Sequence, residues 1–260
     1  MRNLRLRSFL QRFKRLNFLK ISIKKMNEYN HSLILASLIL FFVSCIAAAA
    51  EDQVSATEPF RWARVKGHYR WADHPTADSY LMEELKKQAA INVDSAWNAV
   101  EMSNLNEMVK YPALLISSPD DFIYTEAERL NLKEYVLRGG FILADDCVFK
   151  GYPPDKFTTS FKAMVKLTFN TEMVQIPLSD DIYHCFHDME KVPVMQGKDT
   201  GGWGLYVKGR LAIFLDSGDI HCGWESRRLR ETRMRPWFPY DNETLALKMG
   251  VNILIYMMSH

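Results

Sequence analysis

The spacing of apolar and polar positions divides the chain near residue 51. Residues 1–30 carry nine basic side chains against one acid, Glu28, and residues 32–50 form an uncharged apolar run. Beyond that point the pattern is that of a globular domain. Residues 60–66 alternate aromatic, aliphatic and basic side chains up to Gly67, which predicts a first strand. Leu81, Leu85 and Ala89 recur at helical spacing and predict an amphipathic helix over 76–90; residues 98–102 predict a weak strand. The continuous apolar run 111–117, closed by Ser118-Pro119-Asp120-Asp121, has the form of a strand buried on both faces. Thr125-Glu126-Ala127-Glu128 then reads as a capping box. The helix it opens turns Leu132, Tyr135 and Val136 inward and ends at Gly139, a natural left-handed cap. Residues 141–144 form the next buried strand, which runs straight into Asp145-Asp146-Cys147.

The second half is less regular. Residues 157–167 predict a helix, 173–176 a short strand, and 205–207 with 210–215 a hairpin turning at Lys208-Gly209. Gly201-Gly202-Trp203-Gly204 precedes a strand rather than a helix, so it reads as a lead into that hairpin and not as a phosphate cradle. Residues 244–258 are apolar nearly all round and predict a buried helix. Helix and buried strand alternating through short links imply parallel pairing with helices on both faces, a doubly wound α/β fold. The expectation rests on residues 111–117 and 141–144 lying side by side and pointing the same way.

The leader changes the reading of compartment and charge. Ala48-Ala49-Ala50 before Glu51 is the small-x-small pattern of a signal-peptide cleavage site, which divides the chain into a basic leader, 1–50, and one domain, 51–260. Two other versions stay open: an uncleaved anchor over 32–50, and lipidation at Cys45 within Phe42-Val43-Ser44-Cys45. Met26 is an alternative start. Each version leaves the basic end in the cytoplasm and delivers the domain outside, to the periplasm or another extracytoplasmic space, with membrane contact only through the N-terminal segment. Removing nine of the 33 basic and one of the 31 acidic side chains leaves 24 against 30, a formal charge of −6. Such a surface disfavours a nucleic-acid partner. Cys147, Cys185 and Cys222 remain, an odd count that allows at most one internal disulfide.

Four stretches resemble a bacterial family of domains of unknown function numbered 4159: Phe60-Arg61-Trp62-Ala63-Arg64-Val65, Leu137-Arg138-Gly139-Gly140-Phe141-Ile142-Leu143-Ala144-Asp145-Asp146, Gly209-Arg210-Leu211-Ala212-Ile213 with Asp219 and Trp224, and Leu247-Lys248-Met249-Gly250-Val251-Asn252-Ile253. The resemblance implies a flavodoxin-like fold of the class I glutamine amidotransferase-like superfamily. It also implies that Asp145 stands at or beside the position where amidotransferases hold their nucleophile. Relatives tend to carry Asp-His-Pro-Ile where this chain reads Ser179-Asp180-Asp181-Ile182. The resemblance carries no reaction.

Chemistry is expected beyond the carboxyl ends of the strands, where Asp145, Asp146, Asp216 and Asp219 fall. Facing carboxylates can hold a divalent cation, bind sugar hydroxyls or share a proton; Asp also simply caps turns. Amidotransferase chemistry needs a Cys between glycines on a sharp elbow, and Cys147 lies two residues past that position without flanking glycines. His184-Cys185-x-His187 and Asp219-x-His221-Cys222 supply zinc-type donors at spacings that match no established signature, so no cofactor is expected and His184, His187 and His221 are metal candidates only. Trp224, Glu225, Arg227, Arg228 and Trp237 belong to an arginine-aromatic stretch suited to an envelope protein, a polysaccharide or another ligand. Two functions follow: a non-catalytic binding or assembly module of the cell envelope, or a metal-assisted or carboxylate-based hydrolase acting on a glycan or other small molecule. Carboxylates converging in an open cleft with His184 or His221 favour the hydrolase; dispersal favours the module.

Overall fold

A computed structural model of the chain describes residues 58–148, 156–196 and 201–260. The expected leader, its expected cleavage point and Cys45 lie outside the described residues. Among the described residues no helix is long and apolar enough to cross a membrane.

The elements in order are β1 (Trp62–Lys66), α1 (Pro75–Ala89), β2 (Ala99–Glu101), α2 (Leu105–Met108), β3 (Ala113–Ser118), α3 (Glu126–Leu137), β4 (Phe141–Asp146), α4 (Lys156–Phe169), β5 (Val174–Gln175), β6 (Gly202–Val207), β7 (Arg210–Asp216), α5 (Ile220–Glu231) and α6 (Tyr240–Ser259). The strands form one seven-stranded sheet in the order β2-β1-β3-β4-β7-β6-β5. Pairing is parallel from β2 to β7 and antiparallel for β7-β6 and β6-β5. The expected central relation is present: β3 and β4 run parallel, with Ala113 opposite Phe141 and Ser117 opposite Asp145.

Side chains alternate across a strand, so β3 and β4 feed two cores. Ala113, Leu115, Phe141 and Leu143 pack with Leu81 and Leu85 of α1, Trp224 of α5 and Met249 and Ile253 of α6. Leu114, Ile116, Ile142 and Ala144 pack on the opposite face with Leu132 and Val136 of α3 and Phe157 and Phe161 of α4. Helices therefore cover both faces, which is why β3 and β4 are apolar without a polar alternation.

The capping box is made in full: Thr125 Oγ1 accepts from the Glu128 backbone N–H, and Glu128 accepts from the Thr125 N–H at 2.7 Å. Gly139 follows the helix at φ +103, where a side chain is strained. Thr125→Ala is expected to cost about 1 kcal/mol of unfolding free energy, readable as a lower urea midpoint at unchanged slope.

Sequence boundaries shift where caps decide them. The last helix begins at Tyr240 rather than at 244, because its first turn carries Asp241 and Glu243 and no apolar stripe. Helix α5 was not expected at all: its charged outer face hides the buried residues Ile220, Trp224 and Leu229.

Candidate functional site

Residue 145 of β4 pairs with residue 216 of β7, so the two strands bring their terminal aspartates side by side. Both are buried, and both accept from the Ile220 N–H at the start of α5, at 3.0 Å for Asp145 Oδ1 and 3.3 Å for Asp216 Oδ2. Ser117 Oγ, across on β3, donates to Asp145 Oδ2 at 3.3 Å. Gly218 N–H donates to Asp216 Oδ2 at 2.8 Å. A Cβ at Gly218 would lie 2.6 Å from the Pro193 carbonyl oxygen, so this turn admits only glycine. Asp146 points to the other face, as alternation requires, and its Oδ2 accepts from the Thr158 N–H in the first turn of α4. It therefore caps a helix and stands apart from the other three.

Asp219 heads α5 at φ +63 without capping it. Gln196 Nε2 donates to its Oδ2 at 2.5 Å, while Oδ1 has no partner among the described residues. Cys147, just past β4, and Cys222, one helical turn after Asp219, bring their sulphurs 3.7 Å apart beside it. Burial drives every one of these carboxyls up: Asp145 well above the usual range, Asp216 to about 6 and Asp219 to about 8, with like charges adding to Asp145 and Asp219. Cys222 is raised well above an ordinary thiol by its contact with Cys147, by burial and by Asp219.

A second polar group adjoins the first on the same end of the sheet. Arg64 of β1 is fully buried and grips Asp78 of α1 through Nε at 3.1 Å and through Nη2. Its Nη1 donates to the Trp71 and Asp73 carbonyls at 3.1 and 2.5 Å, and its Nη2 lies 2.7 Å from His221 Nε2. His221 Nε2 is also 3.1 Å from Asp78 Oδ1. Burial and the neighbouring guanidinium hold His221 below the usual imidazole value. His74 heads α1 at φ +48, again without capping it, with its ring 6.0 Å from His221 and 4.9 Å from Trp237. Non-glycine residues in the left-handed region cost of order 1–3 kcal/mol and persist where surroundings impose them. Two such residues here start the two helices whose N-termini meet at one end of the sheet.

Seven buried side-chain polar atoms lack a partner among the described residues, and four of them belong to this end: Asp73 Oδ2, Asp216 Oδ1, Asp219 Oδ1 and His221 Nδ1. Unmade buried hydrogen bonds are costly, so these atoms are the candidate contacts for a ligand at this end.

A family model for the domain described as Domain of unknown function (DUF4159) matches residues 61–258. The chain belongs to the DUF4159 family. No curated protein matches it.

The other expected site residues of the DUF4159 domain fall elsewhere. Trp224 is wholly buried in the core and donates from Nε1 to the Ala246 carbonyl, so it presents no surface to a ligand. Glu225 is buried and holds Thr76 and Arg228; Arg227 pairs with Glu231 and lies over the Tyr240 ring. These arginines secure α5 and its neighbours. Trp237, 47% exposed, does stand at the rim. His184 is tied to Asp188 and the Leu178 carbonyl and His187 to Gln88, with no partner shared with the aspartates. Cys185 donates to the Asn252 carbonyl at 3.2 Å. A separate groove of about 470 Å³ between α1 and α5 is lined by Tyr80, Glu83, Lys87, Arg228 and Glu231.

Arg64, Asp78 and His74 were missed in the sequence. The available signals were an arginine inside the strand Trp62-Ala63-Arg64-Val65, whose buried charge needs a partner, and a histidine preceding Pro75 at a helix start.

Proposed function

We propose that the DUF4159 domain is a non-catalytic ligand-binding module of the cell envelope, recognising a hydroxyl-rich molecule of the glycan class beyond the carboxyl ends of β1, β4 and β7. The observation that carries this reading is the gathering at that end of four buried polar atoms without a hydrogen-bond partner among the described residues. Asp73, Asp216 and Asp219 offer acceptors for hydroxyls, and the exposed Trp237 with His74 supplies the aromatic face against which a sugar ring packs. Delivery outside the cytoplasm rests on the basic leader and the Ala48-Ala49-Ala50 boundary. As part of the same proposal, the domain is a flavodoxin-like member of the class I glutamine amidotransferase-like superfamily without its chemistry. Cys147 meets Cys222 and Asp219, while His221 is engaged by Arg64 and Asp78, so no imidazole activates the thiol.

The test is a thermal-shift series on the full-length protein with glucose, N-acetylglucosamine and their linear oligomers. A ligand at about 100 times its Kd stabilises by about 2.7 kcal/mol, raising the midpoint by roughly 5–10 °C for a chain of this size. Trp237→Ala and Asp219→Asn are expected to remove the shift. A flat response to every sugar contradicts the reading. One observation favours a carboxylate-based hydrolase instead, the convergence of Asp145 and Asp216 on a single amide. That reading requires glycoside hydrolysis by the full-length protein that is lost in Asp145→Asn while binding is kept.

A further inference from the structure

We propose that Cys147, Cys222 and Asp219 form a site for one thiophilic divalent cation of the zinc class. The proposal shares Asp219 with the sugar reading and otherwise rests on the two cysteines, which that reading does not use. One ligand atom from each residue lies within 4.8 Å of the others, and all three residues are buried. A tetrahedral zinc with bonds of about 2.3 Å sets two thiolate sulphurs about 3.8 Å apart. The sulphurs here stand at 3.7 Å, close to that spacing and far from the roughly 2.05 Å of a disulfide.

An independent observation points to the same occupant. Asp219 Oδ1 is buried with no partner among the described residues, although Oδ2 is anchored by Gln196. A carboxylate oriented through one oxygen by an amide, with the other unpartnered among the described residues, has the arrangement of a metal ligand held by an outer-shell hydrogen bond. The backbone supports it: Asp219 accepts a left-handed conformation at the head of α5, which places it one helical turn from Cys222, while β4 delivers Cys147 from the neighbouring strand. As the ion binds, both thiols and the Asp219 carboxyl give their protons to solvent. Three protein donors leave one position of a tetrahedron open, the arrangement of sites that bind water or substrate.

The experiment uses the full-length protein carrying Cys45→Ser and Cys185→Ser, reduced under argon, dialysed against chelator and titrated with Co²⁺. The expected result is one equivalent bound, with the near-ultraviolet thiolate-to-cobalt charge-transfer band and the visible bands of a tetrahedral ion, displaced by Zn²⁺. Cys147→Ser or Cys222→Ser abolishes the charge-transfer signature of a dithiolate site. Gln196→Ala keeps the stoichiometry and weakens binding by about 10–100-fold. This last variant keeps all three ligands, so it reads the site even if a cysteine variant fails to fold. Trp237→Ala leaves the cobalt spectrum unchanged, so loss of sugar binding and loss of metal are read separately. Reduced protein that takes up no cobalt, or a band that survives both serine variants, overturns the proposal.

Discussion

Asp78→Asn is expected to lower the unfolding free energy by about 3–5 kcal/mol at neutral pH, because it strands a buried guanidinium. Arg64 sits inside β1 with its side chain fully enclosed, and Asp78 is its only carboxylate partner among the described residues. Asparagine keeps the shape and loses the charge, so the loss reads electrostatics rather than a cavity. The pH dependence follows with a definite sign. Burial pushes Asp78 upward, but Arg64 and His221 outweigh it and hold the carboxyl below its usual value. A carboxyl depressed in the folded state stabilises above its unfolded pKa, about 4, and loses that contribution as pH falls through the folded value. The native protein should therefore lose stability below about pH 4 more steeply than Asp78→Asn. Urea unfolding at a series of pH values measures both. Asp188→Asn, which breaks an exposed pair with His184, is expected to leave stability nearly unchanged.

Trp224→Ala is expected to cost about 3–5 kcal/mol by opening a cavity where three elements meet. The indole is the largest fully buried side chain, 6.3 Å from the Trp62 ring of β1, and it closes against Gly250 of α6. Trp224→Phe keeps most of the packing and gives up the Nε1 bond to Ala246, for a smaller loss of about 1 kcal/mol. Were Trp224 a ligand-contacting residue, as its place in the arginine-aromatic stretch suggests, the same changes would weaken binding and spare stability. Denaturation with and without sugar separates the two roles.

The parts of the fold legible in the sequence are those governed by local pattern. The buried runs of β3 and β4, the Thr125 capping box and the Lys208-Gly209 hairpin each carry their signal within a few residues. Helix α5 carries only the i,i+3 and i,i+4 pairs Glu225–Arg228 and Arg227–Glu231, which were overlooked, while Arg230 binds Glu243 of α6 and the buried stripe is set by packing on α6. The site divides the same way. Asp145 and Asp216 were found because strand ends predict where side chains gather, yet Asp146 beside them turns to the opposite face and caps α4. His184 and His187 were metal candidates by donor type, but His184 is held by the nearby Asp188 and Leu178 and His187 by Gln88 of α1. Cys147 and Cys222, 75 residues apart, meet only because β4 and β7 are neighbours.

The central claim, that the carboxyl end of the sheet is a recognition site for a hydroxyl-rich ligand, is tested most directly by nitrogen-edited NMR of the full-length protein during titration with N-acetylglucosamine and glucose oligomers. The expected result is saturable shifts concentrated on the Trp237 indole, the Gly218 and Ile220 amides and the His221 ring. Shifts confined to the groove of Tyr80, Lys87 and Arg228, or no saturable shift with any oligomer, would contradict it.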